Sequence, residues 1–231
     1  MDEGIKTKEQ KVGVTFNNKE LLIQAFTHRS YINENRHVKR EHNERLEFLG
    51  DAVLELVSTI FLYNKYPNKH EGDLTAIRAS LVNTITISGV ARDLGFNDEL
   101  LLSKGESRDE GRARQAILAN TFEAVIGSIY VDQGYDVASE FINKHLLPLT
   151  DIIVKDSLWI DSKSLFQEKA QELYSHTPVY KTITEEGPDH DKEFTIAVYV
   201  GEEEVATGAG KSKQDAEQKA ARAGIEKKGW I

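Results

Sequence analysis

Asn43-Glu44-Arg45-Leu46-Glu47-Phe48-Leu49-Gly50-Asp51 opens the run that decides the fold. From it, Leu46, Leu49, Val53, Leu54, Val57, Ile60 and Phe61 recur at three- to four-residue spacing, the period of a helix with one face buried. On such a helix Glu44, Glu47 and Asp51 stand at i, i+3 and i+7, so three carboxylates project from one face while Leu46, Leu49 and Val53 turn to the core. Like charges at this spacing cost a few tenths of a kcal/mol per pair on an exposed helix, and more where water is scarce. A cation would relieve them. Spacing alone is also what a solvated acidic face partnered by Arg45 or nearby lysines shows, and such faces are the commoner case.

Working outward, helical patterns run over 19–26, 73–94, 115–133 and 136–146, punctuated by Tyr66-Pro67-Asn68, Gly95-Phe96-Asn97 and Gln133-Gly134. The pattern is helical almost throughout from Phe16 to about Leu149, which predicts an all-α domain. The stretch 115–133 carries Ile117, Leu118, Phe122, Val125, Ile126 and Ile129, yet sets Asn120 and Glu123 at i and i+3 in a segment that otherwise favours burial. Two readings stand: a helix-packing Asn with a salt-bridged Glu, or, with the first helix, an all-oxygen donor set suited to a hard octahedral cation such as Mg²⁺.

Between Leu149 and Ser164 the pattern weakens, and after it the period changes. A helix over 162–174 is followed by β-like runs over 179–185, 193–200 and 203–208 and an Ala-rich helix over 212–227. The order is α-β-β-β-α. The alternation in Phe194-Thr195-Ile196-Ala197-Val198-Tyr199-Val200 is that of a sheet with one face covered by helices. The expected division is a helical domain over 5–149, a linker over 150–160 and a small α+β module over 161–230.

Composition narrows the function. A chain of 231 residues exceeds a typical domain of roughly 100–150 residues, so two domains are expected. The absence of cysteine excludes disulfides, thiolate metal sites and cysteine nucleophiles, and fits a reducing cytoplasm. Residues 1–11 are charged, without an apolar export signal, and no run of about 18 apolar residues occurs, so no membrane association is expected. The net charge of −9 runs against a polyanionic partner as an average, which leaves the decision to where the cations stand.

The string from Glu44 to Asp51 resembles the signature of the ribonuclease III family, and Thr27-His28-Arg29-Ser30-Tyr31 resembles the opening of that domain. Glu71-Gly72-Asp73-Leu74-Thr75, Arg78, Leu81-Val82, Gly105-Glu106 and Phe122-Glu123-Ala124-Val125-Ile126-Gly127 follow in the same order. Gly187-Pro188-Asp189-His190, Phe194-Thr195-Ile196 and Gly208-Ala209-Gly210-Lys211-Ser212-Lys213 before Ala216-Glu217-Gln218-Lys219-Ala220-Ala221 resemble a double-stranded RNA-binding domain. The resemblance covers nearly the whole chain. It implies an endoribonuclease that hydrolyses duplex RNA to 5′-phosphate and 3′-hydroxyl ends with Mg²⁺, works as a homodimer, uses no small-molecule cofactor, and processes ribosomal RNA precursors and other structured transcripts. The metal ligands it implies are Glu47, Asn120 and Glu123, with Asp51 beside them as ligand and catalytic carboxylate. Glu123 would share in catalysis, and Glu44 would be an accessory acid.

One departure bears on activity. Better-known members carry Asp where this chain has Asn120, a neutral amide that still offers a carbonyl oxygen, so Mg²⁺ binding should weaken and Mn²⁺ be able to substitute. In the C-terminal module, Ser212 can cap the last helix, whose N-terminal partial charge with Lys211 and Lys213 offers a phosphate cradle across the major groove. Gln167, Glu168 and His190 would meet 2′-hydroxyls in successive minor grooves. Taken singly, the lysines read as a solvated helix start and His190 as a turn residue. Acids outnumber bases in this module and Gln214 stands where a second consecutive Lys is frequent, which implies modest, steeply salt-dependent affinity. Two competing readings are a duplex-RNA-binding or ribosome-associated protein whose nuclease domain is weakened by Asn120, and a small-substrate phosphohydrolase. The second leaves the C-terminal module without a task and lacks His-rich metal spacing.

Overall fold

The computed structural model describes residues 2–108, 110–188 and 192–230. The chain divides into two compact units, Met1–Trp159 and Ile160–Ile231. The first is helical: α1 (Asp2–Val12), α2 (Lys19–Ala25), α3 (Arg29–Glu34), α4 (Glu44–Lys65), α5 (Glu71–Leu81), α6 (Thr84–Asp93), α7 (Arg112–Gln133), α8 (Tyr135–His145) and α9 (Leu149–Lys155), with short 3₁₀ turns at Phe96–Glu99 and Glu106–Arg108. Among the described residues no single helix is long and apolar enough to cross a membrane.

Helices α4 and α7 form the centre, and two glycines set how close they come. A Cβ on Gly50 would lie 1.8 Å from the Glu123 carbonyl oxygen, and one on Gly127 would lie 2.1 Å from the Leu46 carbonyl oxygen. Backbone meets backbone here, which only glycine permits. Around this pair the apolar side chains close into one core, with Phe26, Phe96, Phe122 and Phe141 fully or almost fully buried in a chain of ring contacts at 5.1, 6.4 and 5.5 Å. The loop before α4 is fixed by buried Asn43, whose backbone N–H donates to Thr27 O at 2.9 Å and whose side-chain amide donates to Ala25 O at 3.2 Å. The start of α2 is held by Asp132, which accepts the N–H groups of Asn17 and Asn18 at 2.7 and 2.8 Å.

The helix expected over 73–94 is two. The chain breaks at Val82-Asn83 because the Asn83 side chain accepts the Thr86 N–H at 2.9 Å and its own amide donates to Ser80 O, so Asn83 caps a new helix instead of continuing the old one. Residues 149–155, where the sequence pattern weakens, form α9, whose Ile153 is buried, and Trp159 packs on the first core.

The second unit runs α10 (Ser162–Tyr174), β1 (Val179–Glu186), β2 (Glu193–Val200), β3 (Glu203–Gly210) and α11 (Lys213–Lys228), with the strands in an antiparallel sheet of order β1-β2-β3. Phe166, Ala170, Val198, Val200, Val205, Ala220, Ala221 and Ile225 make its core. Gly208 lets β3 lie against α11, since a Cβ there would meet Ala220 N at 2.2 Å. Asp161 caps α10 by accepting Ser164 N–H at 3.2 Å and takes the Gln218 amide at 2.9 Å, while Gln218 Oε1 accepts Lys163 N–H. The starts of α10 and the middle of α11 are thereby tied in register.

Candidate active site and nucleic-acid interface

The close crossing of α4 and α7 places Glu47 and Asp51 opposite Asn120 and Glu123. The sign of each neighbour's influence shows how they share the space. Glu123 is half-buried, and burial first, then Asp51, then Glu47, push its pKa up to about 8. Burial, Glu44 and Asp51 raise the Glu47 carboxyl above its ordinary value, while a side-chain hydrogen bond from the Asn120 amide pulls it partly back. Burial and Glu55 raise Asp51, which lies at the exposed edge. Desolvation and mutual repulsion both disfavour the charged forms, and a cation among them would relieve both.

The donor set is three carboxylates and an amide, all oxygen, which is what Mg²⁺ or Mn²⁺ takes. Among the described residues, however, no three or more His, Cys, Asp or Glu side chains converge closely enough to hold an ion by themselves. The amide at position 120 is not an acid and so does not add to that count. The residues fit a divalent cation by chemistry, with Asn120 and solvent completing the set.

Glu44 lies at the margin of the cluster, close enough to raise Glu47. It is exposed and engaged by Arg29 at 3.7 Å and His42 at 3.8 Å, while Arg45 pairs with Glu41 instead. The sequence gives no direct sign of the Gly50–Gly127 contact, although Gly127 one turn after Glu123 in an otherwise apolar helix is the kind of position where a glycine marks close approach. Nor does it show that His28 caps α3, its ring accepting the Ser30 N–H at 3.3 Å and lying 2.8 Å from the Ser30 hydroxyl.

In the second unit, Gln167 and Glu168 are exposed on α10 beside a shallow groove with Ser164, Gln171 and Glu172. Ser212 caps α11, accepting Asp215 N–H at 3.2 Å, and Lys211 and Lys213 flank it in solvent. His190 lies outside the described residues.

The sequence matches the Ribonuclease-III-like family model over residues 18–150 and the double-stranded RNA binding motif over residues 162–228. A nuclease domain and a duplex-RNA motif in one chain define an endoribonuclease of double-stranded RNA. Ribonuclease 3 of Bdellovibrio bacteriovorus is 44% identical over 229 residues, 99% of this chain and 97% of that protein. Ribonuclease 3 of Geobacillus thermodenitrificans is 45% identical over 218 residues, 94% and 88% of the two chains. Among solved structures, the nuclease domain of ribonuclease III from Campylobacter jejuni superposes with a TM-score of 0.55 at 38% identity, covering 61% of this chain and 94% of that one. The chain belongs to the ribonuclease III family. Nothing in these matches favours the RNA-binding-only reading or the small-substrate phosphohydrolase.

Proposed function

We propose that this endoribonuclease cuts both strands of an RNA duplex by metal-assisted hydrolysis at the α4–α7 cluster, leaving 5′-phosphate and 3′-hydroxyl ends. Glu47, Asn120, Glu123 and Asp51 would hold Mg²⁺, with Mn²⁺ able to substitute. The chemistry such an ion supplies is Lewis acidity toward the scissile phosphate and toward water. The chain's own residues prepare for it. Burial and the neighbouring acids push the Glu123 carboxyl up to about 8, which favours its protonated form, and a cation held there would favour the anionic form that ligates it. Asn120 donates to Glu47 and orients that carboxylate before any ion arrives. Asp51, exposed at the edge of the cluster, would take a proton from the attacking water. Glu44, held by Arg29, would act from the margin.

The RNA-facing surface would be Gln167, Glu168 and His190 toward minor grooves and Lys211, Ser212 and Lys213 at the phosphates between them. The catalytic domain would take in residues 5–149 together with α9 and Trp159, which pack on its core, so the expected linker over 150–160 is largely part of that domain, and residues 161–230 would be the RNA-binding domain. A homodimer is supported by the exposed apolar side chains of Phe48, Leu56, Ile60 and Tyr63, spaced by three to eight residues along one face of α4. Sedimentation of the chain at micromolar concentration reads this directly. The chain would act in the cytoplasm, maturing ribosomal, messenger and transfer RNA precursors.

The observation that carries the reading is the glycine-permitted backbone contact that sets acids of two helices against each other with raised pKa values. A long RNA duplex titrated with Mg²⁺ and Mn²⁺ should be cut into 5′-phosphorylated fragments, and the double variant E47Q/E123Q should lose cutting while keeping duplex binding. No cutting at any metal concentration, or fragments ending in 3′-phosphate, would overturn it.

A further inference from the structure

The end of α11 that this reading turns toward RNA already holds carboxylates. Lys213, the first residue of α11, places Nζ 3.8 Å from Glu185 Oε2 and 5.6 Å from the centroid of the Phe194 ring. Glu185 pairs with Phe194 across β1 and β2, and its other oxygen accepts from Lys192 Nζ at 2.8 Å. Further along α11, Lys219 Nζ lies 2.9 Å from Asp215 Oδ2, the oxygen that also accepts the Lys211 backbone N–H at 3.3 Å. Asp215 has a place in the helix itself, because an acid in the first turn complements the N-terminal partial charge. Glu185 has no such task. Among the described residues its side-chain partners are Lys192, just before β2, and Lys213, at the start of α11.

We propose that Glu185 is a built-in competitor of RNA phosphate for Lys213, holding duplex affinity below what the lysines alone would give. The inference rests on the proposed function, in which the start of α11 grips the duplex. A phosphate reaching Lys213 must either displace the Glu185 carboxylate or sit beside it as a like charge, and both weaken the complex. The two side chains are 59% and 39% exposed, so the pair is screened and its hold is slight. Exposed pairs of this kind correspond to a factor of about 1.4 to 5 in an equilibrium constant. A hold of that size is useful to an enzyme that must let go of a cut duplex, since product release often limits turnover.

The opposite role, in which Glu185 orients Lys213 for phosphate, predicts the opposite sign. The test is binding of an RNA duplex of about 30 base pairs to the full chain in EDTA, read by fluorescence anisotropy from about 50 to 300 mM KCl. E185Q should bind about two- to fivefold tighter than wild type at the lowest salt, with the gain shrinking as salt rises. E186Q, which removes the same charge one residue away, should gain less. K213Q should bind more weakly, and E185Q/K213Q should match K213Q because Glu185 acts through that lysine. Affinity of E185Q at or below wild type, or no greater than that of E186Q, with K213Q weakened, overturns the competitor and leaves the interface standing. A gain that persists in the double variant also overturns it. K213Q binding like wild type removes the interface reading itself.

Discussion

Replacing Gly127 by alanine sets two effects of opposite sign against each other. Gly127 lies inside α7, where alanine is intrinsically the better helix former by about 1 kcal/mol. Against that gain, the new methyl would sit 2.1 Å from Leu46 O, 2.9 Å from its carbonyl carbon and 3.1 Å from Gly50 N. All three are backbone atoms, so no rotamer change can make room, and α4 and α7 must part by roughly 1 Å to restore ordinary contact. Overpacking of this kind costs about 1–3 kcal/mol. With the contact at 2.1 Å on rigid backbone the clash outweighs the gain, for a net loss of up to about 2 kcal/mol, which lowers the melting temperature of the nuclease domain by up to about 8 °C. The same displacement carries Asn120 and Glu123 away from Glu47 and Asp51, and a misplacement of about 1 Å in a catalytic constellation can cost on the order of 100-fold in rate. Gly89 in α6 is the internal control, since a Cβ there meets nothing within 4 Å. Gly89→Ala should therefore raise the melting temperature by about 1–4 °C and leave cutting unchanged. Calorimetry of the two variants with a duplex-cleavage time course decides it. A Gly127→Ala protein as stable and active as wild type would show that the helix pair is not set by this contact.

Two further outcomes follow from the electrostatics. Burial pushes Glu99 up, but hydrogen bonds from Lys8 at 2.7 Å and Lys11 at 2.9 Å outweigh it and hold the carboxyl below its ordinary value. Stability from a depressed carboxylate is present above the unfolded pKa of 4.5 and is lost as pH falls through the lower folded value. Glu99→Gln should thus lower stability by about 1–3 kcal/mol at pH 7 and by progressively less below about pH 4.5, and a deficit that does not change with pH would refute the assignment. Asn120→Asp adds a fourth carboxylate beside Glu47, which should lower metal-free thermal stability and reduce the Mg²⁺ needed for half-maximal thermal stabilisation and cleavage by about tenfold. Identical Mg²⁺ curves for the two proteins would place position 120 outside the ligand set.

What the sequence determined by itself is what near neighbours decide. The stripe of Glu44, Glu47 and Asp51, the pairing of Asn120 with Glu123, the alternation of β2 and the capping of α11 by Ser212 all depend on spacings of two to seven residues, which helix and strand geometry convert directly into faces. The break between α5 and α6 lies at the limit of that legibility. Apolar periodicity runs through Val82 and Asn83, and only the competing side-chain cap of Asn83 ends one helix and starts another. Tertiary structure alone decided the rest. Lys8 finds Glu99 across 91 positions, and Gly50 meets Glu123 only because α4 and α7 cross there. The pKa of Glu123 and the pairing of Lys213 with Glu185 are likewise properties of a place and not of a motif. The reason is physical: periodicity is carried by bonded geometry along the chain, whereas desolvation and Coulomb interactions act through space between whichever groups the fold brings together.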